Sequence, residues 1–561
     1  MFKKPTLTTT LIIIVGFLTL CPVVMLLLGS FSKDFVSFGQ FTVSKYIEAY
    51  TDPDFADILW NTIVFTCGSA VLATLLALFL AYVNTRTDLP FKFIFKIISI
   101  IPMMIPHILF SVSWALLLNP SNGILNKLIM NLLDLKSAVF NIYSLPGMIL
   151  VEGLLDLPIA YLIIAPAMSA FDVSLEESSK VSGASNLRTL FKVTLPVLRP
   201  AILASAILVV VRSLASFAVP SVIGMPGRIY VLSTHIYRNI SSGFAADFGK
   251  AAAIGMSALA ASITLIYVYR YLTSESGKFV TISSRGFKPT LIKLKNAKYP
   301  LFVIVGLLSF VLILLPVLVL FYTSMLPYSM PPSSRAFSMM SWNNWSEVLA
   351  DPLSLLSLKN SLFLGVVGAT LGTILSIFVS YVIVKIRSTA SGILESLSFL
   401  SFSFPGIVIG VGFMWFFVRT PLYGTITALL IGYIATYLPY GIRPISSAFV
   451  QIHDHLEESS RVCGASPFYT LRRIVIPLLI PGVVSGWILM ATMFLRELTL
   501  SVVLSRPGTE VLAVQILHFA EDGLWGKLSA LGIIMIVISS TLVIAASIVG
   551  SKMTRLEVVN K

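Results

Sequence analysis

Apolar runs of about twenty residues or more recur along the chain, at about 8–29, 58–84, 94–118, 144–168, 198–222, 250–272, 299–323, 359–384, 393–418, 422–449, 479–504 and 527–549. Each is long enough to cross the hydrocarbon core of a bilayer as a helix. Backbone in lipid must satisfy its own N–H and C=O groups, so only helices or closed barrels cross. Barrel strands would alternate apolar and polar residues over about ten positions, and these runs do not. The expected fold class is therefore all-α integral membrane, with twelve transmembrane helices. Only 11% of the residues are charged, against about 25% in soluble domains, too few to keep a surface of this size wet. The first run follows Lys3 and Lys4 like a secretory signal peptide. It is longer than an h-region of about 7–15 residues and no Ala-x-Ala-like cleavage site follows, so it reads as the first membrane helix.

Cys21, Cys67 and Cys463 are too few and too scattered for a disulfide framework or a zinc site. Cys21 and Cys67 lie in apolar runs, where a thiol behaves as a small hydrophobe. The histidines show no metal-ligand pattern; His453 and His455 sit in a polar loop and read as solvated or capping.

Lys and Arg set the orientation. With the N-terminus in the cytoplasm, and basic residues toward the ends of the runs counted with the side they adjoin, 25 of the 39 basic residues are cytoplasmic and 12 outside, leaving Arg212 and Arg496. That bias places both termini inside. It also accounts for the net charge of +14 without nucleic acid as a partner. The densest basic stretch, 273–298, holds Lys278, Arg285, Lys288, Lys293, Lys295 and Lys298 and suits a cytoplasmic segment facing anionic lipid headgroups.

This basic stretch separates two similar halves. Asn61-Thr-Ile-Val-Phe and Asn360-Ser-Leu-Phe-Leu begin matching helices, Ala81-Tyr82 and Ser380-Tyr381 end them, and Pro106 matches Pro405, all at an offset of 299. Further on the offset becomes 281, relating Leu157-Pro158 to Leu438-Pro439 and Pro226-Gly227 to Pro507-Gly508. Gly249-Lys250 matches Gly526-Lys527 near the end of each half. Six helices per half make the repeats parallel, as in transporters whose route runs between such halves. The expected organisation is a first lobe at 1–278, a basic cytoplasmic linker at 279–297 and a second lobe at 298–561.

The best-matched polar segment lies between the fourth and fifth helices of each half. It reads Leu175-Glu-Glu-Ser-Ser-Lys-Val-Ser-Gly-Ala-Ser-Asn-Leu-Arg-Thr-Leu-Phe-Lys-Val-Thr-Leu-Pro196 in the first and Leu456-Glu-Glu-Ser-Ser-Arg-Val-Cys-Gly-Ala-Ser-Pro-Phe-Tyr-Thr-Leu-Arg-Arg-Ile-Val-Ile-Pro477 in the second, with no gap at offset 281. Both copies fall on the cytoplasmic side. The pattern predicts a short helix, a break and a second short helix. Ser174 and Glu177 have capping-box spacing, as Asp454 and Glu457 do one residue earlier. Gly183 and Gly464 suit the left-handed position after a helix, and Pro467 suits a first helical turn. Pro196 and Pro477 are expected to stop the motif before the next membrane helix. A simple connecting loop would explain one copy; two matched copies suit docking to a two-fold cytoplasmic partner.

These residues resemble the EAA loop of binding-protein-dependent ABC importer permeases. That pattern runs Glu-Ala-Ala, three residues, Gly, nine residues, then Ile-x-Leu-Pro. Here it is Glu177-Ser178-Ser179, Gly183 and Val193-Thr-Leu195-Pro196, and again Glu458-Ser459-Ser460, Gly464 and Ile474-Val-Ile476-Pro477. Ser for Ala, Val193 for Ile and Ile476 for Leu preserve size or apolar character. The resemblance spans nearly the whole chain. The fused form is similar to ferric-iron-type permeases, with support from 40–53, Arg86-Thr-Asp-Leu-Pro90 and Arg496-Glu-Leu-Thr-Leu500 followed by Pro507-Gly-Thr-Glu-Val511. Related permeases carry polyamines, thiamine, phosphonates or sulfate.

The resemblance implies a permease subunit in a bacterial inner membrane, driven by alternating access. No Gly-x-x-x-x-Gly-Lys-[Ser/Thr] phosphate loop occurs, so ATP and Mg belong to a separate ATPase and no cofactor is expected on this chain. Two copies of that ATPase would each receive one coupling helix, near 175–183 and 456–464. Glu177, Gly183, Ala184, Ser185, Pro196, Glu458, Gly464, Ala465, Ser466 and Pro477 are the implied coupling residues. An extracytoplasmic binding protein would deliver the solute onto the loops near 30–57, 119–143, 223–249, 324–357 and 505–526.

Charges inside a membrane carry a functional hypothesis by default. Arg212, Arg496 and Glu497 are the candidates for the translocation pathway. Ala215 and Ser216 occupy the repeat positions of Arg496 and Glu497, so the lobes are electrically unequal there. For all of these the alternative reading, which Glu152 and Asp156 at i,i+4 near a helix end suit best, is an ion pair between helices or side chains snorkelling to the interface. The alternative function is a proton- or ion-coupled secondary transporter, which would leave the matched cytoplasmic loops unexplained. A membrane-embedded enzyme would need a His/Asp/Glu cluster or a nucleophile with its base within the apolar runs, and none is evident.

Overall fold

A computed structural model describes residues 4–33, 40–99, 105–170, 173–241, 243, 246–274, 291–386 and 388–559. In the first half the helices are α1 (Lys4–Ser30), α2 (Ser44–Tyr50), α3 (Phe55–Arg86), α4 (Lys92–Ile98), α5 (His107–Leu118), α6 (Ile124–Leu133), α7 (Leu145–Ala170), α8 (Val173–Val181), α9 (Asn186–Thr189), α10 (Leu195–Ala215), α11 (Leu232–Ser241) and α12 (Phe248–Ser274). The second half continues with α13 (Lys298–Ser309), α14 (Leu315–Ser324), α15 (Ser334–Ser338), α16 (Asn343–Ala350), α17 (Pro352–Phe363), α18 (Ala369–Tyr381), α19 (Thr389–Leu400), α20 (Gly406–Phe417) and α21 (Ile426–Gln451). It closes with α22 (Asp454–Val462), α23 (Pro467–Thr470), α24 (Ile476–Leu495), α25 (Ser501–Leu504), α26 (Leu512–Glu521) and α27 (Trp525–Val559). The only β-type pairings among the described residues are isolated bridges.

Nine helical stretches among the described residues are long and apolar enough to span a membrane: Thr6–Ser30, Phe55–Arg86, Leu145–Ala170, Asn186–Ala215, Phe248–Tyr269, Lys295–Ser324, Pro352–Ile386, Arg472–Leu495 and Trp525–Ile548. The expected runs at 94–118 and 393–418 differ from a single span. In the second half, α19 ends in a short 3₁₀ turn, Phe404 is extended, and α20 starts after Pro405 at ψ 134°. Pro106, at the repeat position, holds ψ 132° before α5. Proline excludes the α conformation from the residue before it, so these matched prolines divide each third run into two short helices. The tenth run is the continuous α21, which carries Tyr433, Tyr437, Tyr440 and Arg443 and is not among the nine.

Packing divides the chain differently from the sequence repeat. One compact unit contains 1–52, 236–259 and 342–561; the other contains 53–235 and 260–341. Each is built on the same three-helix core: α3, α7 and α10 in one, α18, α21 and α24 in the other. Each also incorporates the opening helix of the opposite half. Helix α1 lies along α19, α20 and α21, and α13 and α14 lie along α4 and α5. Without a hydrophobic drive inside lipid, such helix pairs depend on close backbone approach at small residues. Gly412 supplies it for α1: a Cβ there would come within 2.1 Å of the Pro22 carbonyl oxygen.

Residues 279–290 of the basic linker lie outside the described residues, as do Lys278, Arg285 and Lys288. Its far end is pinned: the Ile292 N–H donates to the Arg86 carbonyl at 2.9 Å, and the Leu294 N–H to Asp88 Oδ1 at 2.9 Å.

Candidate coupling loops and intramembrane polar joints

The first candidate coupling segment is α8, a turn, and α9. Helix α8 begins at Val173, so Ser174 falls inside the first turn, and the residue that would cap it lies outside the described residues. The break is a Schellman turn. Gly183 stands at φ +84°, its N–H donates to the Lys180 carbonyl at 2.9 Å, and the Ala184 N–H reaches back to the Ser179 carbonyl at 3.1 Å. Ser185 then caps α9 by accepting from the Arg188 N–H at 3.3 Å. The second segment repeats this: Gly464 at φ +79°, the Ala465 N–H to the Ser460 carbonyl at 3.1 Å, and Ser466 accepting from the Tyr469 N–H at 3.2 Å. Pro467 is the first residue of α23, as its fixed φ favours. The capping proposal for Asp454 and Glu457 concerns side chains outside the described residues.

The two prolines do not stop the motif. Residues Leu190–Thr194 and Leu471–Val475 form single π turns, and the chain runs through Pro196 and Pro477 into α10 and α24 without leaving the helix. Proline offers no N–H and crowds the carbonyl four residues back. A π turn, with its wider i→i+5 ring, accommodates both effects, ending two residues before the proline in each copy. Each coupling segment is thus joined rigidly to a membrane helix.

Three features of the segments went unread in the sequence. Ser179 and Thr189 share a hydroxyl–hydroxyl bond of 3.0 Å, and Ser460 and Thr470 share one of 2.8 Å. These bonds hold the two short helices of each segment together and give the second Ser of Glu-Ser-Ser a purpose that Ala could not serve. The signal was available, since Ser and Thr stand ten residues apart in both copies. Second, the buried acid is Glu176, one place before the predicted Glu177. Thr194 Oγ1 donates to Glu176 Oε1 at 2.8 Å, and Arg86 Nε lies 3.7 Å from the same oxygen. The last residue of α3 therefore holds the root of the first segment, while Glu177 faces outward. At the repeat position of Arg86, Lys385 donates to the carbonyl of Ile452, the residue just after α21, at 2.9 Å. Third, Val181 and Val462 occupy equivalent positions and are 89% and 88% exposed. Glu458 is also exposed, where it meets His455 Nδ1 at 3.0 Å, a contact worth little in water.

The intramembrane candidates separate into two joints, one in each unit. In the first, Arg212 Nε donates to Asp156 Oδ1 at 3.0 Å, Ser213 Oγ to Asp156 Oδ2 at 3.3 Å, and Ser216 Oγ to Glu152 Oε2 at 2.8 Å. Asp156 and Glu152 are buried, and the Arg212 side chain keeps 27% of its surface accessible. The expected ion pair between helices is present, linking α7 to α10. In the second joint, Glu497 is buried just beyond α24. It accepts the Leu500 N–H at 2.6 Å and the Tyr437 hydroxyl, fixing the corner between α24 and α25 and tying it to α21. Tyr433 and Ser501 share a 2.5 Å hydroxyl bond beside it. Arg496 ends α24, and its Nη2 lies 2.9 Å from Met493 Sδ. Arg496 and Glu497 are neighbours in sequence, but Glu497 is engaged with α21 and its own corner.

The family model described as binding-protein-dependent transport system inner membrane component matches the chain twice, over residues 71–278 and 368–555. The chain is 28% identical over 87% of its length to the ferric transport system permease protein FbpB of Actinobacillus pleuropneumoniae, covering 70% of that protein. It is 23% identical to the Fe(3+)-transport system permease protein FbpB 2 of Haemophilus influenzae, over 96% of this chain and 97% of that one. The spermidine/putrescine transport system permease protein PotC of Escherichia coli matches 38% of the chain, and 80% of its own length, at 26% identity. Among solved structures, a bacterial ABC transporter involved in the import of the acidic polysaccharide alginate aligns over 48% of this chain and 93% of its own at 19% identity, with a TM-score of 0.38.

Proposed function

This chain belongs to the binding-protein-dependent transport system inner membrane components, and from that premise we propose that it is the fused two-lobe permease of a ferric-iron importer. The family assignment makes it a multi-pass inner-membrane permease subunit of an ABC importer, which works with an ATPase and a substrate-binding protein. Iron rests on the relatives, which are ferric permeases over most of the chain.

The observation that carries the mechanism is the pair of matched coupling segments. Each presents a nearly bare valine, Val181 or Val462, beside an outward acid, Glu177 or Glu458. An exposed apolar knob with a charge next to it suits a pocket on a partner. Behind the knob, a Schellman turn, a Ser–Thr bond and a π-turn splice transmit force without slack into α10 and α24. Two copies of one ATPase subunit, carrying ATP and Mg, would seat one knob each. Closure of that pair would move the knobs, and the two lobes would alternate between outward and inward access, a two-state switch biased by a ligand held elsewhere. Both termini and the 279–297 linker are assigned to the cytoplasm on the charge bias, with the lobes at 1–278 and 298–561. Arg212, the accessible member of its joint, is the best-placed pathway residue; Arg496 and Glu497 are assigned to the same route from the second lobe.

The test is uptake of radiolabelled ferric iron into proteoliposomes holding the permease, its ATPase and its binding protein. The proposal expects uptake that needs ATP and survives collapse of the proton gradient. Uptake that ignores ATP and follows the proton gradient would establish the secondary-transporter alternative.

A further inference from the structure

The two halves also repeat a charged cluster at the end of the membrane helices opposite the coupling loops, and the copies have diverged. In the first copy Lys45 pairs with Glu48 at 3.0 Å and with Asp247 at 2.8 Å, and Lys250 pairs with Asp52 at 2.5 Å. Two ammonium groups there meet three carboxylates. The second copy keeps Glu347, Asp351 and Lys527 at the positions of Glu48, Asp52 and Lys250. Asn344 stands where the first copy has Lys45, and Glu521, the last residue of α26, stands where Ser241 ends α11, with Asp522 next to it. Four carboxylates now face one ammonium, Lys527, which lies 2.8 Å from Glu347.

These residues line a cavity of about 440 Å³ between the α16–α17 and α26–α27 segments. An acidic rim alone is usually a solvated face. Asp351 in part caps α17, accepting from the Ser354 N–H and hydroxyl at 2.9 and 2.6 Å, and Glu521 contacts the Tyr237 hydroxyl. Gln515 argues for an occupant. It lines the same cavity, is 3% exposed, and its side-chain oxygen has no hydrogen-bond partner among the described residues. A buried carbonyl oxygen left unsatisfied is costly; an occupant that donates hydrogen bonds removes that cost.

We propose that this cavity is a binding site for a multivalent cation that presents hydrogen-bond donors from its own shell, either a hydrated metal ion or an organic polyamine. Direct coordination is disfavoured, because among the described residues no three His, Cys, Asp or Glu side chains are arranged to hold a metal ion. Six waters occupy roughly 180 Å³ at the liquid's volume per molecule, so a hydrated ion fits the space. Carboxylates at the rim attract the charge, and the Gln515 oxygen accepts from the shell. Binding at this site needs neither ATP nor transport, so it stands or falls separately from the importer reading.

The experiment uses the full chain in phosphatidylcholine nanodiscs, titrated calorimetrically with hexaamminecobalt(III), whose donor shell does not exchange. Saturable binding is expected, weakened about tenfold or more by Glu521→Gln with Asp522→Asn. Asn344→Lys, which restores the tethered ammonium of the first copy, is expected to weaken it comparably without removing an acid. Glu48→Gln with Asp52→Asn, in the first copy, is expected to leave it unchanged. Competition by spermidine would support the polyamine occupant, and competition by Mg²⁺ alone the hydrated metal. Absence of saturable binding, equal losses in both copies, or terbium(III) binding far more tightly through direct coordination would overturn the proposal.

Discussion

The joints between the fourth and fifth core helices solve one problem in opposite ways. In the first lobe the carboxylates Glu152 and Asp156 ride on α7, the donors Arg212 and Ser213 ride on α10, and the donor Ser216 directly follows it. In the second lobe the donors Tyr433 and Tyr437 ride on α21, at the repeat positions of Glu152 and Asp156, and the carboxylate Glu497 follows α24, at the position of Ser216. Acid and hydroxyl have exchanged helices, so the hydrogen-bonded link between the helices persists while its charge distribution reverses. In the first joint a cation is bonded to the acid directly, Arg212 Nε lying 3.0 Å from Asp156 Oδ1. The duplicated scaffold therefore conserves the link while its chemistry differs between lobes.

Transport offers the largest effect with which to break this comparison. Replacing Arg496 and Glu497 together by leucine is expected to abolish iron uptake, by at least about 100-fold or ~2.7 kcal/mol, while the ATPase still copurifies. Normal uptake in that variant would remove both residues from the pathway. Stability is next. Asp156→Leu leaves Arg212 without its buried partner and is expected to cost about 3–5 kcal/mol, read as a lowered midpoint of thermal unfolding in detergent. Adding Arg212→Met should recover most of that loss; no recovery would mean that the pair is not the source of the cost. In the second lobe Tyr437→Phe removes one donor from a carboxylate that keeps the Leu500 N–H, and a smaller loss of about 1–3 kcal/mol is expected. A loss equal to that of Asp156→Leu would erase the contrast between the joints.

The proposed coupling segments supply the smallest effects and the opposite expectation, since there the lobes agree. Ser179→Ala and Ser460→Ala each remove one hydroxyl pair and should cost about 0.5–1.5 kcal/mol apiece, equally in the two lobes. Unequal losses, measured as separate shifts of the unfolding midpoint, would show that the segments are not equivalent.

What the sequence made legible follows from the physics of each signal. Membrane helices are local and long, so Thr6–Ser30 and Trp525–Ile548 were readable to within a few residues. The glycine turns were readable because only a left-handed residue can end a helix that way, as Gly183 and Gly464 do. The matched prolines were visible but misassigned: Pro106 and Pro405 divide an apolar run that hydropathy alone joins, and Pro196 and Pro477 are absorbed by π turns instead of ending a helix. Long-range matters were not legible. That α1 packs with the core of the second half depends on contacts far apart in sequence, and nothing local in Glu176 distinguishes it from Glu177 until Arg86 and Thr194 close around it.

The most direct measurement is the sidedness and protection of the two valine knobs. Native Cys463 adjoins Val462 and is exposed, so Cys463→Ser, matching Ser182 in the first copy, provides the background for Val181→Cys and Val462→Cys. With a membrane-impermeant maleimide, both positions are predicted to label in inside-out vesicles, to stay unlabelled in right-side-out vesicles, and to be protected when the ATPase is bound. Labelling of either position from the external side, or labelling at both that the ATPase does not change, would contradict the account.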